Sequence, residues 1–386
     1  MAEGFDLRKF VAPEFIFGVG SRHLAGRYAR NLGGRKILVV SDPGVVAAGW
    51  TSDVTNSLEA EGLPYALYIG VTPNPKVEEV MAGVAVYQAE GCNALIAVGG
   101  GSPIDCAKGI GIVSSNHRHI QMFEGVDMVK APMPPLICVP TTGGTSADVS
   151  QFAIITNPLE KIKFAIVSKS VVPDLALIDP ETLTSMDAYL TACTGLDALT
   201  HAIEAYVSTA RSSMTDLHAM EAIRLLSESL LPSLKDLQNL ELRSKIMQGS
   251  LQAGLAFSNA ILGANHAMAH SLGGALGIAH GECNAILLDH VIEFNLPSSP
   301  ERFEKIAQAM GLDLRGMNFG ERKRALLKHV RYLKKAAGIV RNLNDLGVSR
   351  SDLNFYSEHA MKDPCMATNP RQASKRDIEV VYEESL

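Results

Sequence analysis

Every convincing strand pattern in this chain lies before residue 180. Residues 14–20 read as a short strand entering a turn. Residues 36–42, 65–70, 94–98, 135–139 and 175–179 are brief apolar runs closed by polar residues, glycine or proline. Helical stretches such as 77–90, apolar at Val80, Val84 and Tyr87, fall between them. Strands alternating with helices predict a mostly parallel sheet with helices packed on it. Residues 151–156 and 163–167, joined through Asn157 and Pro158, are expected to form an antiparallel hairpin. After Asp179 the period changes. Residues 220–231, 242–256, 302–310, 322–337 and 352–361 carry helical patterns, with no further convincing strand. The predicted organisation is an α/β N-terminal domain over 1–184 and an all-α C-terminal domain over 185–386. A chain of 386 residues suits two such domains.

The α/β half carries the ingredients of a pyrophosphate site. Strand 94–98 runs straight into Gly99, Gly100, Gly101 and Ser102, and a helix is expected to begin near Pro103. Glycines let backbone approach phosphates, and a helix N-terminus offers free N–H groups at its positive dipole end. A tight turn without a ligand would need one glycine rather than three. Asp42 ends strand 36–42, where a Rossmann-like sheet presents a carboxylate to a ribose hydroxyl. The competing reading is that Asp42 only caps a helix starting at Pro43. The hydroxyl-rich loop containing Thr141 and Thr142 borders the same crevice. Gly18-Val19-Gly20 lacks the third glycine of a dinucleotide fingerprint and reads as a turn.

The helical half carries the ingredients of a metal site. Asp197 and His201 stand four apart in a helical run, so both side chains leave one face. His266 and His270 repeat that spacing, and His280 follows a glycine-rich bend. A lone histidine among Ala and Leu neighbours is usually a hydrogen-bonded core residue. Two spaced pairs and a fifth member, with one carboxylate among them, are better satisfied by a cation than by one another. Because the metal candidates and the phosphate candidates lie in different halves, the expected site is the cleft between them.

Composition excludes several alternatives. A net charge of −6 gives no reason to expect nucleic acid or an anionic membrane as partner. No apolar run reaches the roughly 18 residues a membrane span needs. The first eight residues lack the apolar core of a secretory signal. The six cysteines are scattered without CxxC spacing, as in a reduced, cytoplasmic protein.

With these residues in view, the chain resembles the iron-containing (group III) alcohol dehydrogenases nearly from end to end. The resemblance rests on Gly99-Gly-Gly-Ser-x-x-Asp105-x-Ala-Lys108, on Gly195-x-Asp-Ala-Leu-x-His201-Ala-Ile-Glu204, and on the His266, His270, His280 block. It implies the dehydroquinate synthase-like architecture of that family, with an α/β and an all-α domain. It further implies that Asp197, His201, His266 and His280 hold one divalent metal, commonly iron, and that His270 lies beside the nicotinamide as a proton relay. Asp42, Gly99, Gly100, Gly101, Ser102, Asp105, Thr141, Thr142 and Lys163 correspond to the residues around NAD. The family's Thr-Thr-Ala-Gly-Thr-Gly-Ser-Glu reads Thr-Thr-Gly-Gly-Thr-Ser-Ala-Asp over 141–148 here, which leaves the contacts from 145 to 148 open.

The expected activity is reversible hydride transfer between a primary alcohol or diol and NAD, with the aldehyde as substrate in reverse. Three imidazoles and a carboxylate suit Fe(II) or Zn(II). Affinity order favours zinc, and the resemblance favours iron. The alternative is a dehydroquinate synthase-like lyase using NAD transiently, but its polyanionic substrate calls for Lys and Arg around the metal, and none flanks the candidate ligands. A homo-oligomer, dimer or higher, is the expected assembly.

Overall fold

The computed structural model describes residues 9–160 and 162–386. The segment 1–8, read above for its lack of a secretory core, lies outside the described residues. Six strands form one parallel sheet: β1 (Glu14–Phe17), β2 (Ile37–Val40), β3 (Tyr65–Tyr68), β4 (Ala94–Gly99), β6 (Leu136–Pro140) and β9 (Leu175–Ile178), in the order β1-β9-β6-β4-β2-β3. The hairpin of β7 (Phe152–Asn157) and β8 (Ile162–Val167) is antiparallel. It stands outside the main sheet and pairs with the two-residue strand β5 (Gly125–Val126), which the sequence did not announce.

The period of two along each strand explains the layering. Ile37 and Val39 of β2, Ile96 and Val98 of β4, and Leu175 and Leu177 of β9 pack with Ala25 and Ala29 of α1 (Ala25–Asn31). Val54 and Leu58 of α3 (Trp50–Ala60), which follows the short α2 (Pro43–Ala47), complete that layer. The alternate residues Leu38, Val40, Leu95 and Ala97 face α4 (Val77–Ala89) and α5 (Gly101–Asn116) on the other side. The chain leaves β2 for β3 at one edge, then returns to place β4 on β2's other side. That reversal opens a crevice at the carboxyl ends of β2 and β4, where open α/β sheets take their ligands.

Helices fill the rest of the described chain. They are α6 (Ala188–Val207), α7 (Ser213–Lys235), α8 (Leu240–Ala260), α9 (Ala264–Leu276), α10 (His280–Asn295), α11 (Pro300–Ala309), α12 (Phe319–Ala336), α13 (Leu353–Lys362) and α14 (Lys375–Glu384). Each sequence-predicted helical run falls on one of them. Asp187 caps α6, accepting from Leu190 N at 2.7 Å. From Thr191 to Val207 every residue of α6 is buried, which makes it the axis of the helical half. Among the described residues no helix is long and apolar enough to cross a membrane.

Arg22 ties three segments of the α/β half together. Its Nη1 donates to Asp179 Oδ2 at 2.6 Å and to Glu181 Oε2 at 2.7 Å, and its Nε donates to Asp53 Oδ2 at 2.7 Å. Asp179 is fully buried just beyond β9 and also accepts from Gly20 N. Arg22→Ala strands that buried carboxylate, an error worth about 3–5 kcal/mol. The urea unfolding midpoint should fall accordingly with little change in slope.

Candidate metal centre and cofactor cleft

Three helices deliver the metal candidates to one point. Asp197 and His201 come from α6, His266 and His270 from α9, and His280 from the first position of α10. Close approach of α10 to α6 requires Gly281. A Cβ there would meet Cys193 O at 2.3 Å, one turn before Asp197. Ligand atoms of Asp197, His201 and His266 lie within 4.8 Å of one another. Asp197 Oδ1 is 3.6 Å from His266 Nε2 and 3.7 Å from His280 Nε2. The His201 and His266 rings stack at 4.3 Å between centroids. Bonds of about 2.1 Å place neighbouring ligand atoms about 3–3.5 Å apart, so Asp197, His201 and His266 fit a single cation after small adjustments, while His280 stands outside that group of three and adjoins it at Asp197. Nδ1 of His201 and Nδ1 of His280 are both buried without a hydrogen-bond partner, and the nitrogen His280 turns toward Asp197 is Nε2.

Charge supports the same fit. Burial would raise Asp197, but His201, His280 and His266 hold its carboxyl well below the usual range. Burial pushes His201 down to about 3 and takes His280 well below its ordinary value, so both rings are neutral with a lone pair to offer. His266 differs: Glu204 and Asp197 outweigh burial and raise it to about 9. A cation arriving there displaces a proton, the ordinary coupling of metal loading to ligand deprotonation.

Three supporting groups were missed in the sequence. Glu204 Oε2 accepts from His266 Nδ1, and its Oε1 accepts from Asn265 N at 2.7 Å, fixing both the ring and the start of α9. Asn284 is fully buried. Its amide nitrogen donates to Asp197 Oδ1 at 2.6 Å and lies 3.0 Å from His266 Nε2 and 3.2 Å from His280 Nε2. It stands four residues after His280, a third pair at the spacing already recognised twice, so a signal was present. Asp363 Oδ2 accepts from His270 Nδ1 at 2.8 Å. His270 itself stands beside the four, its ring stacked 5.2 Å from that of His280 and edge-on at 6.0 Å to that of His266.

The cofactor candidates divide between two adjoining cavities. A cleft of ≈ 1040 Å³ is lined by Asp42, Gly100, Gly101, Ser102, Thr141 and Thr142, and also by Asp197 and His280. Gly99 shapes the turn behind it: its φ is +153°, and a Cβ would meet Pro103 Cγ at 2.5 Å. Helix α5 then begins at Gly101, two residues before the expected start. Asp42 does both things weighed for it. Its Oδ1 caps α2 by accepting from Val45 N at 3.0 Å, and the residue lines the cleft.

Asp105 and Lys163 line instead a smaller cavity of ≈ 150 Å³, together with His201, His266, His270 and His280. Asp105 accepts from Ile154 N at 3.2 Å, anchoring the hairpin, and burial raises it to about 6. Lys163, lowered by burial, donates to Asn74 Oδ1 at 2.8 Å. The departure at Ser146 has a backbone counterpart: its φ is +48°, a conformation glycine adopts freely, and its hydroxyl donates to Ser250 O at 2.7 Å.

A family model for iron-containing alcohol dehydrogenase matches residues 12–180, and one for the C-terminal part of the Fe-containing alcohol dehydrogenase family matches residues 191–386. The chain is 38% identical to a 1,3-propanediol dehydrogenase of Klebsiella pneumoniae over 96% of each chain. It is 39% identical to alcohol dehydrogenase 4 of Schizosaccharomyces pombe, over 100% of this chain and 90% of that one. A solved 1,3-propanediol oxidoreductase shares its fold at a TM-score of 0.96 and 37% identity, covering 99% of this chain and 100% of that chain.

Glu204→Ala leaves the four candidate ligands in place but frees the His266 ring. Chelator-competition titration should show the affinity for a divalent cation weakened about 10–100-fold. Unchanged affinity would mean that this carboxylate does not hold His266 for a metal.

Proposed function

Because this chain belongs to the iron-containing alcohol dehydrogenase family, we propose that it oxidises short primary alcohols or diols with NAD and reduces the aldehydes in reverse. One observation carries the reading. Asp42 and the glycine loop line the same cleft as Asp197 and His280, which supports a dinucleotide site that opens onto a metal site. In this reading residues 1–184 serve as the dinucleotide-binding domain and 185–386 as the metal-binding and catalytic domain.

When bound, a divalent cation at Asp197, His201, His266 and His280 supplies Lewis-acid chemistry at the alcohol, and NAD accepts the hydride. The protein's own groups do the rest. Backbone N–H groups from Gly100 to Ser102, at the start of α5, hold the pyrophosphate, with the hydroxyls of Thr141 and Thr142 across the crevice. Asp42 accepts from the adenosine ribose and repels a 2′-phosphate. Lys163 and Asp105 border the small cavity from the α/β side. His270 takes the proton of the substrate hydroxyl.

The small cavity is walled by Phe152, Ile154, Phe257, Leu262 and Cys365, which suits a short carbon chain. Lys163 is the single Lys or Arg lining it among the described residues, which favours an uncharged substrate over the polyanion of a dehydroquinate synthase-like lyase. Iron is the metal the family implies, and zinc suits the same donors. Six buried free cysteines support a cytoplasmic setting. Phe15, Phe17 and Val19, exposed along and just past the outermost strand, support a homo-oligomer.

NADH formation across a panel of primary alcohols and diols, with Fe(II) or Zn(II) added to metal-stripped protein, tests the activity. Turnover of short alcohols that depends on added metal is expected, and no turnover with any alcohol under either metal would end the reading. Asp42→Gly should narrow the preference for NAD over NADP, measured as the ratio of kcat/KM values. His270→Ala should keep its metal and its affinity for NAD while kcat falls by about 10²–10⁴-fold. Loss of metal from that variant would make His270 a ligand instead.

A further inference from the structure

His270 is fixed from behind by a carboxylate that neither the metal nor the cofactor cleft needs. Asp363 divides its two oxygens. Oδ1 accepts from Cys365 N at 2.8 Å, capping the short turn Pro364–Thr368, while Oδ2 accepts from His270 Nδ1 at 2.8 Å. Burial would raise Asp363, yet His270 and the hydrogen bonds from Cys365 hold it below the usual carboxylate range. His270 also forms part of the wall of two cavities. On one side lies the small cavity it shares with His201, His266 and His280. On the other lies a second cavity of ≈ 400 Å³ bordered by Asp363, His359, Lys362 and Glu124.

We propose that Asp363 is a positioning residue for His270, holding the proton on Nδ1 so that Nε2 is the nitrogen that receives the substrate's proton. The inference rests on the reading of His270 as the proton acceptor. A neutral imidazole has one N–H and one lone pair, and the partner of one nitrogen decides the state of the other. With Nδ1–H committed to Asp363, the lone pair is on Nε2. As the alcohol O–H bond breaks, an N–H bond forms at Nε2, and the hydride leaves the same alcohol's carbon for the nicotinamide. The positive charge then on the ring lies against the Asp363 carboxylate until Nε2 gives its proton up to water, which restores the starting tautomer.

The competing role is capping alone, and Asn distinguishes the two. Asparagine caps as well as aspartate, so Asp363→Asn keeps the turn through its oxygen. Its amide nitrogen then meets His270 Nδ1 as a donor, which moves the ring proton to Nε2. Asp363→Ser also caps but is too short to reach the ring, so it leaves the tautomer free.

The test is steady-state kinetics on Asp363→Asn, Asp363→Ser, His270→Ala and the Asp363→Asn/His270→Ala double variant. Metal content, NAD affinity and thermal melting are measured on each. The expected result is an Asn variant that melts, loads metal and binds NAD like the parent, with kcat lowered about as far as in His270→Ala. The Ser variant should lose less, and the double variant no more than His270→Ala alone. Parent-like turnover in the Asn variant, beside an impaired His270→Ala, would overturn the role of Asp363 and leave His270 as the acceptor. Losses that multiply in the double variant would also overturn it. Parent-like turnover in His270→Ala would remove both assignments together.

Discussion

Asp197 is a carboxylate with almost no contact with water, and its surroundings answer the cost of keeping that charge. Three imidazoles face it, from its own helix and from two others. Asn284 donates to it from a fourth direction. A buried charge of this kind is tolerated only where its partners are held in place, and holding them sets much of the helical half. Helix α6 must be buried all round to carry Asp197 inward. Helix α10 must approach α6 closely enough to exclude any side chain at position 281. Helix α9 must start where Glu204 can reach both its backbone and the His266 ring. The arrangement is a network, and no pair within it would be stable in that interior alone.

The cleft obeys a different constraint, that of backbone rather than charge. The crossover around β2 leaves a crevice at the end of the sheet, and only glycine fits the bend at position 99. The site where these two solutions meet is therefore shared between a part specified by side-chain electrostatics and a part specified by main-chain geometry.

This division explains what could be read in the sequence. Spacing within one helix is a local property, so Asp197 with His201 and His266 with His270 were visible as pairs, and the strand–glycine–helix run at 94–108 was visible for the same reason. Alternation of strands and helices likewise announced the parallel sheet. Contacts between distant segments left no comparable trace. Nothing in the spacing joins Asp363 to His270 or Glu204 to the His266 ring. Asp105 belonged to a recognised motif, yet its carboxylate serves the hairpin backbone. Ser146 was noticed as a departure, but its left-handed backbone and its bond to Ser250 O come from packing against α8. Asn284 is the exception, because its spacing from His280 was the same as that of the other pairs and its amide was passed over for want of charge.

Strand β9 and the hairpin have two sides, and each side belongs to a different interior. Leu175 and Leu177 pack into the layer under the sheet, while Ala176 and Ile178 pack with the helices that follow. In the hairpin, Phe164 and Ile166 join the α/β interior, and Phe152, Ala165 and Val167 join the helical one. These strands act as party walls. Removing either half would leave an apolar face of the other exposed to water, so neither half is built to fold or melt on its own. Loss of structure in one should propagate through the shared strands to the other, and the whole chain should unfold as one cooperative unit.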